Sequence, residues 1–68
     1  MLNTYIEAFM GRALYRVLAD GGYVGAIAEF DGLEAKGATL EECRRALEDA
    51  LEDRVLSMLD LGDEIPEP

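Results

Sequence analysis

Between Thr39 and Gly62 the chain carries one uninterrupted helical pattern that takes up about a third of the sequence. Leu40, Cys43, Leu47, Ala50, Leu51, Val55, Met58 and Leu59 recur at helical spacing. Thr39 stands where an N-cap belongs, and Glu42 follows at the capping-box position. Glu41 adds negative charge at the positive end of the helix dipole. Gly62 is placed to end the helix, and Pro66 prevents simple continuation. Arg44 is spaced to meet Glu48, and Arg45 to meet Glu41 or Asp49. The pattern therefore predicts a helix over 39–61, about 33 Å long at ~1.5 Å per residue. That exceeds the ~20 Å run of a short strand. The far end of the helix is expected to overhang any sheet it packs on. Leu56, Met58, Leu59 and Leu61 would then be under-covered in a single copy.

The rest of the chain has to build that sheet within 12–36. Arg12 to Ala19 reads as a strand, with Ala13, Tyr15, Val17 and Ala19 on one face and Arg12, Leu14, Arg16 and Leu18 on the other. Asp20-Gly21-Gly22 is a hairpin signal. Tyr23 to Phe30 reads as the return strand. Val24, Ala26, Ala28 and Phe30 line one side of it, and Tyr23, Gly25, Ile27 and Glu29 the other. Asp31-Gly32 marks a second turn, and Leu33 to Lys36 a short third strand broken by Gly37. Glu29 marks its own side as wet, so the helix is expected on the side of Val24, Ala26, Ala28 and Phe30. Met1 to Gly11 fits a short helix over Tyr5 to Met10, with Thr4 and Glu7 as a capping box and Gly11 as its close. A strand is the rival reading. On the helical reading Leu2, Ile6, Phe9 and Met10 share one face, which must cover the core or meet another subunit. Residues 63–68 read as an acidic, extended tail. The expected fold is α+β: one domain over 1–68, in β-β-β-α order, with a three-stranded antiparallel sheet, one long helix (39–61) on one face, and a short N-terminal extension (1–11).

Composition narrows the function. Sixty-eight residues, half of them hydrophobic, are too apolar for a disordered tail and too few for a large enclosed active site. There is no His, so Ser-His-Asp and Cys-His catalysis and His-ligated metals are excluded. The single Cys, Cys43, allows neither an internal disulfide nor a CxxC pair, and is expected to be a small buried hydrophobe. No Walker loop or GxGxxG is present. The 15 acidic residues against 6 basic ones give a net charge of −9, which repels phosphate backbones and argues against direct nucleic-acid binding. Arg12 and Arg16 are the best pair for contacting an anion, but they read first as charges that keep the strand surface solvated. No basic start leads into an apolar run and no apolar stretch reaches ~18 residues, so neither signal peptide nor membrane span is expected. A cytoplasmic location follows by default.

From Leu14 onward the sequence resembles the HicB-like antitoxin family. The matching stretches are Gly21-Gly22-Tyr23-Val24, Glu29-Phe30-Asp31-Gly32 and Gly37-Ala38-Thr39-Leu40-Glu41-Glu42. The end, Asp63-Glu64-Ile65-Pro66-Glu67-Pro68, resembles the link that often follows the family's helix. The resemblance implies a β-β-β-α domain that binds and neutralises a small RNA-cleaving toxin. A separate DNA-binding segment usually represses the family's own operon. This chain ends at Pro68, where the family usually continues to that segment, and it adds the apolar start 1–11, so operator binding is not expected. The resemblance is to a non-catalytic domain and carries no catalytic residue over.

The reading that emerges is a non-enzymatic interaction module, with no cofactor or metal, that grips other proteins through apolar surface. Self-association, with a dimer favoured, is expected through Leu2, Ile6, Phe9, Met10, Leu56, Met58, Leu59 and Leu61. Glu48, Asp49, Glu52 and Asp53 would form an acidic face for a basic partner such as an RNA-cleaving toxin. The alternative is a small ligand-binding or regulatory module, or a subunit of a larger complex, recognisable by a concave apolar pocket with converging polar groups.

Overall fold

The computed structural model describes residues 2–68, residue 2 through its backbone alone. Helix α1 (Leu2–Met10) precedes strands β1 (Leu14–Val17), β2 (Tyr23–Ala26) and β3 (Glu34–Gly37), and helix α2 (Leu40–Leu61) follows. The strands form one antiparallel sheet in the order β1-β2-β3. Cross-strand rows run Tyr15–Gly25–Ala35 and Arg16–Val24–Lys36. The fold class is the expected one, with a short N-terminal helix. The strands are shorter than the pattern suggests. β2 ends at Ala26, so Ala28 and Phe30 belong to the following turn, and β3 runs one residue past Lys36 to include Gly37.

Local chemistry explains the boundaries. The Asp20 carboxylate accepts from the Gly22 N–H at 2.9 Å, which fixes the first hairpin turn. Between β2 and β3, Phe30 N–H donates to the Ile27 carbonyl and Leu33 N–H to that of Phe30, both at 3.1 Å. This compact turn carries Phe30 and Leu33 into the core, where they are 3% and 5% exposed. At the start of α2, Thr39 Oγ1 accepts from the Glu42 N–H at 3.1 Å. The Glu42 carboxylate accepts from Ala38 N–H, one residue outside the usual capping-box partner. At the other end Gly62 (φ 80°) sits in the left-handed region, and Asp63 N–H reaches back to the Met58 carbonyl, as in a Schellman stop.

The helix lies on the side opposite to the one expected. It covers the face of Tyr15, Gly25, Ile27, Ala35 and Gly37. A Cβ on Gly25 would stand 3.1 Å from Leu47 Cδ2, and one on Gly37 would stand 2.7 Å from Cys43 Cα. The helix is pressed close against the strands there, and only small residues allow it. Cys43, Leu47, Leu51 and Val55 are the fully buried stripe of α2, and Cys43 is a free, buried thiol directed at the Ala35 carbonyl. Each large apolar side chain removed from water in this way contributes ~1.5–3 kcal/mol.

Helix α1 does not use Thr4 and Glu7 as a capping box, because Thr4 lies inside a helix that already begins at Leu2. Nor does Gly11 close it in a left-handed conformation. The chain leaves the helix through Gly11 N–H to the Glu7 carbonyl and Arg12 N–H to that of Phe9. Ile6 and Phe9 drop into the core beside Phe30, with the Phe9 and Phe30 rings edge-to-face at 5.1 Å. Residues 63–68 have no regular structure, yet they are not an unattached tail. Ile65 packs on the core, and Tyr5 Oη donates to the Pro66 carbonyl. The N-terminal helix and the C-terminal segment are thus held to the core and to each other.

Candidate functional site

The far half of α2 presents the surface of interest. On its inner side Val55 is buried and Met58 half-buried against the core. On its outer side Leu56 and Leu59 are each 52% exposed, and Leu61 is 77% exposed. Leu56 and Leu59 stand one turn apart, at helical spacing of three. Glu52 and Asp53 precede Leu56 by four and three residues, and Asp60 follows it by four, so carboxylates surround the leucine pair along the helix. An apolar centre with a polar rim is the anatomy of a protein-binding patch.

The other members of the expected self-association set divide differently. Ile6 and Phe9 are 2% and 0% exposed, inside the protomer's own core, and have no surface to offer a second copy. Met10 is half-buried against that core. The side chain of Leu2 lies outside the described residues. The N-terminal apolar face therefore covers the core, which is one of the two roles the sequence allows it.

The four carboxylates Glu48, Asp49, Glu52 and Asp53 do not converge. At 3.6 residues per turn Glu48 and Glu52 follow one flank of α2, and Asp49 and Asp53 the next. Glu48 borders a depression with Glu7, Met10, Gly11 and Arg44. Asp53 borders another with Gly32, Leu33, Glu34 and Ser57. Among the described residues no three Cys, Asp or Glu side chains come together to hold a metal ion. Arg45 meets Glu41 at 3.7 Å rather than Asp49, while Arg44 reaches no carboxylate among the described residues. Both members of the Arg45 pair are well exposed, so the pair contributes little.

Arg12 and Arg16 do not come together as an anion pair, in keeping with the favoured reading of them as strand-surface charges. Arg12 lies over the Phe9 ring at 5.2 Å and binds the Glu29 carboxylate at 3.0 Å. Arg16 lies on the open face of the sheet, opposite Val24, and forms no ion pair among the described residues. A third cation, Arg54, donates to the Asp31 carbonyl at 2.9 Å and ties α2 to the β2–β3 turn. Sequence reading misses that contact, because a backbone carbonyl leaves no trace in residue type.

Two tyrosines have altered acidity. Burial pushes the Tyr5 phenol up. Burial also raises that of Tyr15, with Cys43 and Glu48 acting in the same sense and Arg44 opposing them. The depressions of the surface are open to solvent. One of them, about 480 Å³, lies over the first hairpin between Leu18, Gly22, Lys36 and Ala38. Among the described residues no helix is long and apolar enough to cross a membrane.

Sequence reading also misses Leu14, Val17 and Leu40, which are 73%, 66% and 49% exposed. Leu40 belongs to the apolar stripe by spacing but lies on the first turn of α2, outside the core. Leu14 and Val17 lie on β1, beyond the reach of α2, which packs chiefly over β3 and β2.

A three-stranded antiparallel sheet covered by one long helix, with a short helix before it, defines a small α+β domain. The chain belongs to the UPF0150-like family, whose model matches residues 4–66. It is similar to TTHA0281 from Thermus thermophilus, known from its crystal structure. The two are 41% identical, with 96% of this chain and 82% of that one covered and a TM-score of 0.89. No curated protein matches the chain.

Proposed function

We propose that this protein is a non-enzymatic interaction module that binds a small basic, RNA-cleaving protein and silences it, in the manner of a HicB-like antitoxin. The observation that carries the reading is the leucine pair on α2, Leu56 and Leu59, half-exposed and set among Glu52, Asp53 and Asp60. The apolar centre supplies affinity, and the surrounding carboxylates draw in and orient a cationic partner. Membership of the UPF0150-like family supports it, since the family is found in HicB-like toxin–antitoxin-associated proteins. The net charge of −9 supports it too, by favouring a basic protein over a nucleic acid. The module works as a homo-oligomer, most simply a dimer.

The test is co-expression with the product of the neighbouring open reading frame, which this reading expects to be short, basic and RNA-cleaving. The expected result is a stable complex in which RNA cleavage by the partner stops, and in which Leu56→Lys with Leu59→Lys restores cleavage. Undiminished cleavage in the presence of excess wild-type chain overturns the reading, and so does turnover of RNA by this chain alone.

A further inference from the structure

The two edges of the sheet are not alike. β3 carries Glu34 and Lys36, both exposed, and charged residues of this kind blunt an edge against strand addition. Just beyond it the Ala38 N–H is already taken by the Glu42 carboxylate at 3.2 Å. β1 is more weakly guarded, by the single charge of Arg16. It contains no carboxylate, no proline and no lysine, and its two most exposed large apolar residues are Leu14 and Val17.

Those two residues point to opposite sides. Side chains alternate along a strand, so Leu14 faces the open side of the sheet and Val17 the helix side. A protein docking on one face would cover one of them. An added strand covers both.

The backbone of β1 is ready for one. Leu18 N–H donates to the Gly22 carbonyl at 2.7 Å. Bonded residues alternate in an antiparallel ladder, so Leu18, Arg16 and Leu14 bond to β2. The N–H and C=O of Tyr15 and Val17 consequently point outward from the sheet.

We propose that a second copy of this chain occupies that edge, β1 antiparallel to β1 about a two-fold axis, so that two sheets join into one of six strands. This rests on the interaction-module reading above and names the surface of its self-association. Pairing Tyr15 with Val17 of the second copy uses every free backbone group of the strand. It also sets Leu14 opposite Leu18 on the open face, each hiding the other. Local charge argues against the basic partner at this edge, and the free backbone groups and the exposed Leu14 and Val17 argue for a second copy. Arg16 stands on β1 and Arg12 just before it, whereas the carboxylates line α2. Joining two copies through the leucine patch of α2 would instead bring two acidic rims together. Because β3 is guarded, the sheet grows on one side only and the assembly closes at two. The one unfavourable feature is Arg16, which meets its own copy across the axis.

Sedimentation equilibrium of the full chain at micromolar concentration tests this. Wild type is expected at the mass of two protomers. Leu14→Lys and Val17→Pro are expected at the mass of one, with unchanged circular dichroism, because the Val17 N–H bonds to nothing within its own sheet. Arg16→Ala should tighten the dimer, by about two- to fivefold given the like charges opposed there. Leu14→Cys with Leu18→Cys should link two chains under oxidation. Within one strand those positions lie ~13 Å apart, too far to bridge. Amide exchange gives a readout that does not depend on variants: the Tyr15 and Val17 amides are protected in the dimer and lose protection on dilution. A monomeric wild type, or a dimer that survives both β1 substitutions with free Tyr15 and Val17 amides, overturns the proposal. Leu56→Lys with Leu59→Lys keeps the dimer while abolishing partner binding, so failure of the antitoxin-like reading is seen separately.

Discussion

The two faces of the sheet are built on opposite principles. On the helix side the central row is Tyr15–Gly25–Ala35, and the next row ends at Gly37. Small residues let the α2 backbone descend onto β2 and β3, and the Tyr15 ring occupies the space that a Cβ on Gly25 would need. On the open side the rows are Leu14–Ala26–Glu34 and Arg16–Val24–Lys36, an apolar centre strand flanked by Leu14 and the charged Arg16, Glu34 and Lys36. Val24 is only 3% exposed although no helix covers it. Polarity alone does not tell these faces apart, since each has an apolar middle. Steric room does: a helix packs where side chains are absent, and long side chains stay where nothing descends.

The strongest way to break that comparison is Gly37→Ala. The new Cβ would stand 2.7 Å from both Cys43 Cα and the Glu42 carbonyl carbon, and neither is the end of a flexible side chain. α2 would have to lift at its first turn. The expected loss is about 3 kcal/mol or more, a large part of the ~5 kcal/mol available to a domain of this size. Urea denaturation monitored by circular dichroism measures it. Gly25→Ala comes next. Its Cβ would press on the Tyr15 ring at 2.7 Å, but that ring is a side chain on an edge strand and has somewhere to go. A loss of ~1–3 kcal/mol is expected, and Tyr15→Leu in the same background should recover part of it. If Gly25→Ala proves the costlier of the two, close backbone approach is not what selects the covered face.

How much of this the sequence discloses follows from where each signal is written. The long helix is legible to within a residue at both ends, because Thr39, Glu42 and Gly62 act through the local backbone and the stripe from Cys43 to Val55 is periodic. The two turns are legible for the same reason. The covered face is misread when Glu29 serves as the marker of wetness. Glu29 lies beyond the end of β2, in the turn, where it pairs with Arg12 and reports nothing about the strand's faces. The informative residues are Gly25, Ala35 and Gly37, whose lack of bulk is a signal only once the register is known. The fold-back of residues 63–68 leaves one clue, Ile65, a lone apolar residue among acids and prolines. The tie that holds this segment, Tyr5 to Pro66, spans 61 positions, and no local pattern joins them. For the candidate site, the exposed leucines of α2 follow from the excess length of the helix. The bare edge of β1 does not, because exposure of Leu14 and Val17 depends on which strands α2 reaches.

Alkaline titration probes two tyrosines packed on the core, Tyr15 on the covered face and Tyr5 on α1. Burial raises the Tyr5 and Tyr15 phenols above their ordinary value. A phenol is charged when deprotonated, so the folded state resists losing that proton more than the unfolded chain does. The stability involved is therefore fully present below the ordinary phenol value of ~10 and drains away as pH rises through the raised folded value. Thermal melts taken on either side of that point should show the midpoint falling with pH in wild type. The fall should be shallower in Tyr5→Phe and in Tyr15→Phe. A slope unchanged by both substitutions would mean that neither ring is shielded as its packing implies.

Ala26→Glu should have the smallest effect, and it discriminates most cleanly between the faces. Ala26 sits between Leu14 and Glu34 on the open side. If α2 covered that side, a glutamate there would be an unpaired buried charge, and the domain would lose several kcal/mol. With α2 on the other side, the carboxylate reaches water directly. The cost is then limited to strand propensity and to repulsion from Glu34 on the neighbouring strand, ~0.5–1 kcal/mol in all. Raising the salt concentration should reduce it further, because the repulsive part is screened. A melting temperature within a few degrees of wild type is therefore expected for Ala26→Glu, in contrast to collapse for Gly25→Glu one position away. The same substitution bears on assembly. Ala26 pairs with Leu14, which the β1–β1 dimer buries against Leu18 of the second copy. A glutamate at 26 that leaves the monomer folded but shifts the dimer toward dissociation would place the open face beside the subunit boundary, where strand addition at β1 requires it to be.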